Sequence, residues 1–465
     1  MIELALIAQV LVMALVVVVF LFSGTASMFH PLSFYLIFHS LVFVLRPILL
    51  HAYQFDNVWL FIGFWPDAQQ FVFTLMVSSV ALIAFAVASA WSGAARPEFR
   101  DREPFRFDGP DIVAYGITAL LLGPLAVYSA IMRQGGASFT GVGDVQMERD
   151  PLTGQPVYVN TTGYVAEAHS MGLPLALGII WVSRFHPLSF IPFLSFLTYR
   201  AYLGWGRWAF IMGVISLVLL LLYHTRTKWF RLWHVAAGLP VLLVFHTLGQ
   251  NRGALRSIFE GTAPISSLFR VQGGSDARFV DSLAGQDLGN FDYLAFILWV
   301  VPKESGTYTW FTQYLQLFTE PIPRVLWPGK PIGPPVQFFS LHDFGHFANL
   351  TTSLAGDGWM SGGWIGLVVT MALVGLALGT IHRWFWRSGS VNKYGVLFYC
   401  TFLPLSLQWF RDGGISIFKF GLFSLLPILM WIALTRLFRA WIAFGVEDRP
   451  PLVLRRAEDG AAGTS

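Results

Sequence analysis

The chain has 465 residues, 55% hydrophobic and 16% aromatic but only 12% charged, with a mean hydropathy of +0.60. Soluble domains carry about 25% charged residues, so too little polar surface exists here to coat a globule in water. That excludes a soluble enzyme, a disordered chain and a disulfide scaffold, and it predicts an all-α polytopic membrane protein. The formal charge of +4 fits Lys and Arg held in cytoplasmic loops as well as an anionic partner. The single Cys400 lies in an apolar run and reads as a buried thiol.

In chain order, the first apolar run covers 3–22. Met1-Ile2-Glu3 lacks the positive region of a signal peptide, and the run is long enough to cross about 30 Å of hydrocarbon, so a retained helix is expected. Further runs fall at 31–51, 68–91, 111–132, 162–183, 187–203, 207–224, 232–250, 363–382, 394–410 and 415–437. About eleven transmembrane helices result. The connections 92–110, 225–231 and 383–393 and the tail after 437 are rich in Arg and Lys, whereas 52–67 has neither. With alternating helices the basic segments share one side, which the positive-inside rule makes the cytoplasm. The chain then divides into helices 1–8 (1–250), a large outer loop (251–362), helices 9–11 (363–437) and a cytoplasmic tail (438–465). No internal repeat is visible. Within the loop, Asp292–Val301 and Thr309–Phe318 are apolar and aromatic at helical spacing, which predicts short helices on or dipping into the bilayer surface. A second, Gly-rich outer loop at 133–161 is expected to fold over the same cavity.

The large loop holds seven basic and nine acidic residues, so a uniform nucleic-acid patch is excluded. Arg252 and Arg256 share one face if the preceding helix continues. Their paired guanidiniums suit phosphate or pyrophosphate, and equally suit anchoring at lipid headgroups. Arg278 adds a further cation in the same loop. In Glu320-Pro321-Ile322-Pro323-Arg324-Val325-Leu326-Trp327-Pro328-Gly329-Lys330-Pro331 the prolines forbid a regular helix. They hold Arg324 and Lys330 on a stiff path, either as preorganised cations for a phosphate leaving group or simply as part of a rigid interfacial elbow. His342-Asp343-Phe344-Gly345-His346 lacks the third ligand and the intervening Glu of a zinc protease motif, leaving acid–base work or ordinary hydrogen bonding. Asp357 lies among five glycines before the next span, either close to a substrate or as an exposed acid in a turn. Charges also fall within or at the ends of spans: Arg46, Glu167 with His169, Arg200, Arg207, Arg411 with Asp412, and Lys419. Ionisable groups at membrane depth tend to face polar cavities, although Arg411 and Asp412 can also neutralise each other.

The run Ile322-Pro323-Arg324, Leu326-Trp327-Pro328, Lys330-Pro331 resembles the IPRxLWPxKP signature of bacterial O-antigen and oligosaccharide repeat-unit polymerases, the Wzy-like family. Gly356-Asp357 with Trp364-Ile365-Gly366 is similar to that family's Gly-Glu-x-Tyr and Gly-x-x-Gly element, with Asp357 and Trp359 where the family has Glu and Tyr. The resemblance implies a GT-C-like glycosyltransferase in the bacterial inner membrane, working on the periplasmic face without metal or other cofactor. Its implied partners are undecaprenyl-pyrophosphate-linked oligosaccharides, the lipid bilayer and a chain-length regulator (co-polymerase). By the same resemblance, Arg324 and Lys330, with Arg252, Arg256, Arg278 and Arg411, are to neutralise the pyrophosphate. Asp357, or failing it His346 or Glu320, is to serve as base, and Trp327 and Trp359 are to stack on sugars. O-antigen ligase shares the plan, but Thr352 stands where its pattern has His. A flippase or other transporter of lipid-linked oligosaccharide is the alternative outside enzymes. Transporters usually carry mid-membrane charges and paired halves, whereas the charges here lie toward the outer ends.

Overall fold

A computed structural model describes residues 1–99, 105–132, 147–149, 156–158, 168–202, 207–232, 234, 236, 257–258, 261–264, 288–322, 326–346 and 350–447. Among the described residues the fold is helical, apart from one small antiparallel ribbon, β1 (Met147–Arg149) with β2 (Pro156–Tyr158). The main helices are α1 (Ile2–Phe22), α2 (Pro31–Tyr53, with a π-helical stretch at Ser40–Leu45), α3 (Ala68–Ser92) and α4 (Gly109–Met132). They continue as α5 (Gly172–Val182), α6 (Phe190–Tyr202), α7 (Arg207–His224), α8 (Asn290–Trp299), α9 (Ser353–Arg387), α10 (Lys393–Asp412) and α11 (Ile415–Glu447).

Six stretches are long and apolar enough to cross a membrane: Ile2–Phe22, Pro31–Tyr53, Ala68–Ser92, Gly109–Ile131, Ser353–Arg387 and Gly421–Ala443. α1 shows why these helices need lipid. Its buried residues are Leu6, Gln9 and Phe20, while Leu4, Leu11, Leu15 and Phe22 point outward. A helix that displays leucines along most of its surface requires an apolar surrounding. The chain is therefore a helical, multi-pass membrane protein.

The six stretches coincide with predicted spans. The others differ in length: α5, α6 and α7 have 11, 13 and 18 residues, below the roughly 20 that a perpendicular span needs. The chain breaks between α5 and α6 because Arg184 and Phe185 take left-handed conformations and Pro187 follows, which cannot continue a helix. α10, at 20 residues, has the length of a span. The predicted run 232–250 and the Gly-rich loop 133–161, its ribbon apart, lie outside the described residues.

α3 runs along α9 at close range. A Cβ at Gly375 would lie 2.9 Å from the Phe85 carbonyl oxygen, so glycine there permits the approach. α11 packs against α4 and α10. The Arg-rich connections gather at one end of the bundle: the Lys228 carbonyl accepts from the Met28 amide (2.9 Å), and Lys393 Nζ donates to the Arg106 carbonyl (2.9 Å). There the buried Asp111 carboxylate receives Lys393, the Tyr394 hydroxyl and Arg439, joining the starts of α4 and α10 to the far part of α11. Trp431 Nε1 also donates to the Asp111 carbonyl at 2.8 Å.

α8 corrects an expectation. It does not lie on the bilayer surface: every side chain from Asn290 to Leu298 is buried inside the bundle. A helix that is apolar on all sides belongs in a core, and its one acid is neutralised. Asp292 takes both ends of the Arg46 fork, Nε at 3.0 Å and Nη2 at 3.2 Å, with both side chains fully buried. Arg46 follows the π-helical stretch of α2.

Candidate functional site

At the end opposite the Arg-rich connections a break within α9 meets the turn between α10 and α11. In α9 the break lies at Gly362–Gly363. Gly363 has φ 59 and ψ −134, a left-handed conformation open to glycine, and a Cβ there would lie 2.8 Å from the Tyr308 hydroxyl. The segment before the break folds back along the segment after it. A Cβ at Gly358 would come within 2.9 Å of Leu367 Cα, and one at Gly366 would collide with the Gly358 carbonyl oxygen. The glycines of Gly356–Gly366 thus make a tight hairpin of helix segments. At 1.5 Å per residue Asp357 lies roughly 7 Å along the folded-back segment from the apex.

The turn between α10 and α11 lies at Gly413–Gly414. Gly413 is left-handed at φ 91, and a Cβ on it would run into the Asp357 carboxylate. Asp357 is 4% exposed. Its Oδ2 accepts from the Gly414 amide at 2.7 Å and its Oδ1 from the Thr352 hydroxyl at 2.8 Å. The carboxylate thus caps the start of α11, where exposed N–H groups and the helix dipole favour negative charge. The Tyr314 ring packs against Gly414. Burial, then the nearby Asp357 charge, pushes the Tyr314 phenol well above its usual pKa of 10.0.

Around this junction the hydrogen bonds are dense. Asn290 Nδ2 donates toward the Thr351 carbonyl (2.9 Å), the Thr351 hydroxyl (3.0 Å) and the Arg411 carbonyl (3.0 Å). The Thr351 hydroxyl itself donates to the Arg411 carbonyl at 2.8 Å. Arg411 pairs with Asp412 at 3.3 Å, with both side chains partly exposed, at 14% and 17%. From the other side, Gln313 Nε2 donates to the Ser361 hydroxyl (2.6 Å), which donates to the Asp357 carbonyl (2.7 Å). The start of α8, the α9 hairpin, the turn between α10 and α11 and the 307–320 segment are thereby tied into one unit.

Of the predicted site residues, Asp357 and Arg411 come together here. Glu320 is buried at the end of the helical turn Gln316–Thr319, which packs on α11. Lys330 closes the proline-rich loop: its Nζ donates to the carbonyls of Glu320 (2.7 Å) and Ile322 (3.0 Å). Trp327 is partly exposed on that loop, at 36%. His346 is exposed beside the short helix Asn57–Ile62, its amide bonded to the Ile62 carbonyl at 3.0 Å. Among the described residues it takes no part in the hydrogen bonds that gather Asp357 and Arg411.

Trp359 requires a correction. It is 5% exposed, donates from Nε1 to the Val301 carbonyl at 2.8 Å and meets Phe73 and Trp364 edge-on. It fills the core behind the hairpin and offers no face to a sugar, because the fold-back turns this side of the segment inward. Arg252, Arg256, Arg278 and Arg324, like Glu167, lie outside the described residues, as do the side chains of Arg200, Arg207 and Lys419.

Sequence reasoning missed Asn290, Thr351, Tyr314 and the Gly413-Gly414 turn. Two adjacent glycines between apolar runs were a usable sign of the turn. The partner of Arg46 lies 246 residues away, beyond any local pattern. The fold and the junction define a polytopic helical membrane protein with a polar site at one end, built where the α9 hairpin meets the turn between α10 and α11. Comparison of the chain with protein-family models, curated proteins and solved structures finds no match.

Proposed function

We propose that the protein is a membrane glycosyltransferase that polymerises undecaprenyl-pyrophosphate-linked repeat units into O-antigen, capsule or exopolysaccharide on the periplasmic face of the bacterial inner membrane. The observation that carries this reading is a convergence. The motif carrying Glu320 and Lys330 begins at the turn that packs on α11, the motif carrying Asp357 caps the same helix, and Arg411 ends the helix before it. The two stretches that resemble the polymerase family are thus both drawn to α11.

In the proposed reaction a sugar hydroxyl of the acceptor attacks the anomeric carbon of the donor glycan. The carbon–oxygen bond to pyrophosphate breaks, the leaving oxygen keeps the electron pair, and the hydroxyl proton passes to a base. Lys330, Arg411 and, by the motif, Arg324 answer the charge that grows on the pyrophosphate. Asp357 has both oxygens engaged in hydrogen bonds and serves best by holding the junction in shape, which leaves Glu320 as the base candidate. A chain-length regulator remains the proposed protein partner.

A transporter of the same lipid-linked glycans is the second reading. It is favoured by the interruption of α9 at Gly362–Gly363, since discontinuous helices are a feature of transporter binding sites. One experiment separates the two: purified protein is given lipid-linked repeat units, and the products are resolved by size beside Arg324→Ala and Arg411→Ala variants. A ladder of polymer that the folded variants fail to make supports polymerisation. Movement of the unit across a vesicle membrane with no change in size supports transport.

A further inference from the structure

The segment 307–318 exposes aromatic side chains at a strained backbone. Trp310 is 60% exposed and Phe318 76%, with Phe311 at 40% and Leu315 at 41%. Trp310 and Phe311 both adopt left-handed conformations, φ 51 and φ 62, which bulky residues avoid at a cost of about 1–2 kcal/mol each. Each ring has one aromatic neighbour, Tyr308 for Trp310 at 5.6 Å and Tyr314 for Phe311 at 6.2 Å, and otherwise faces outward. The polar groups of the turn are meanwhile satisfied inward. Trp310 Nε1 donates to the Thr307 hydroxyl at 3.3 Å, and the Thr309 amide to the Met360 carbonyl at 2.8 Å. The amides of Thr312 and Tyr314 donate to the carbonyls of Thr309 and Phe311 at 3.0 and 3.1 Å.

The same contacts set the height of the turn. Thr309 bonds to Met360, and the Tyr308 hydroxyl abuts Gly363, so the turn is level with the apex of the α9 hairpin. Beyond that apex begins the outward-facing apolar side of the spanning part of α9, with Trp364 and Ile365 exposed at 39% and 77%. The exposed rings thus lie at the height where a membrane helix begins to present apolar side chains outward. Aromatic side chains whose polar atoms are satisfied favour the boundary between headgroups and acyl chains.

We infer that Trp310, Phe311 and Phe318 form an anchor that inserts into the lipid leaflet at this end of the bundle, so that the polar junction opens at the membrane interface and not into bulk water. The occupant of the exposed surface is lipid. This inference does not depend on the reaction catalysed.

Spin labels test it on the full chain in phosphatidylethanolamine–phosphatidylglycerol vesicles. Cys400 is buried, so an introduced cysteine is the accessible one. Labels are placed by Phe311→Cys and Phe318→Cys, with Leu315→Cys on the same surface should either fail to fold. Lys303→Cys, at a side chain 77% exposed, gives the aqueous reference. Collision rates are read with oxygen, which concentrates in hydrocarbon, and with a nickel chelate, which stays in water. The expected oxygen-to-nickel ratio at 311 and 318 is several-fold above that at 303. A ratio equal to that at 303 overturns the inference. So does spin–spin broadening at 311 that disappears on dilution with unlabelled protein, since it would show a second copy covering the surface.

Discussion

Both oxygens of Asp357 accept hydrogen bonds, one from the backbone that starts α11 and one from Thr352, and this arrangement makes opposite forecasts for two substitutions. Asp357→Ala removes the acceptor and leaves the Gly414 amide buried without its partner, a loss of about 1–3 kcal/mol, visible as a lower melting temperature in detergent. Asp357→Asn keeps a carbonyl oxygen for Gly414, so we expect a variant that stays folded and retains most of its activity. A folded but inactive Asp357→Asn would return the base role to the carboxylate. Tyr314 adds a pH test. Its pKa is raised in the folded protein, so the folded state holds the phenol proton more tightly than the unfolded chain does. Stability from this group is complete below about pH 10 and falls as pH rises above it. Tyr314→Phe should therefore unfold less steeply than the native protein between about pH 10 and 12, as followed by circular dichroism. The acid among glycines was legible in the sequence. Its capping role was not, because Gly414 lies 57 residues further on.

Elements are joined in this bundle by a few buried polar links, and these are where single changes should matter most. Arg46 and Asp292 fasten α8 to α2 with neither side chain exposed. Removing one partner strands a charge in an apolar interior, so Arg46→Ala and Asp292→Ala should each lose about 3–5 kcal/mol. The double change Arg46→Met with Asp292→Leu should lose distinctly less, because it leaves no uncompensated charge. Thermal unfolding of the three variants checks this, and equal losses for single and double changes would refute it. The α9 hairpin makes a second case. Gly366→Ala places a methyl group against the Gly358 carbonyl oxygen and should cost about 1–3 kcal/mol, while Ile365→Ala, on the outward side, should leave the melting temperature nearly unchanged. Apolar periodicity foretold a short helix over Asp292–Val301, on or dipping into the bilayer surface; the helix runs over Asn290–Trp299 and is buried in the bundle, which no local pattern could show because the neutralising arginine sits in another span. The hairpin was similarly hidden: a run of glycines signals tolerance for close approach, and the Gly358–Gly366 contact that uses it appears only once the chain is folded.

At the scale of the whole molecule, composition alone made the protein a helical membrane protein, because long apolar runs have few other solutions. The number of spans was less legible, since α5, α6 and α7 are apolar yet short. α1 illustrates how little protein contact a spanning helix needs. Its buried Gln9 donates to His39 (3.0 Å), the Phe43 carbonyl (3.3 Å) and Ser78 (3.1 Å). Orientation follows from charge: the connections rich in Arg and Lys gather at one end, and moving them across a membrane against the positive-inside bias is unfavourable. That end should face the cytoplasm and the polar junction the outside. The same arrangement bears on the proposed chemistry, because a periplasmic polymerase requires Lys330, Arg411 and Asp357 on the outer side. Cysteines introduced at Arg96 and Lys303 decide the matter in intact cells, with the buried Cys400 as a silent background. A membrane-impermeant maleimide should label Lys303→Cys before permeabilisation and Arg96→Cys only after it. The reverse pattern would invert the molecule, place the junction in the cytoplasm and rule out the periplasmic reaction.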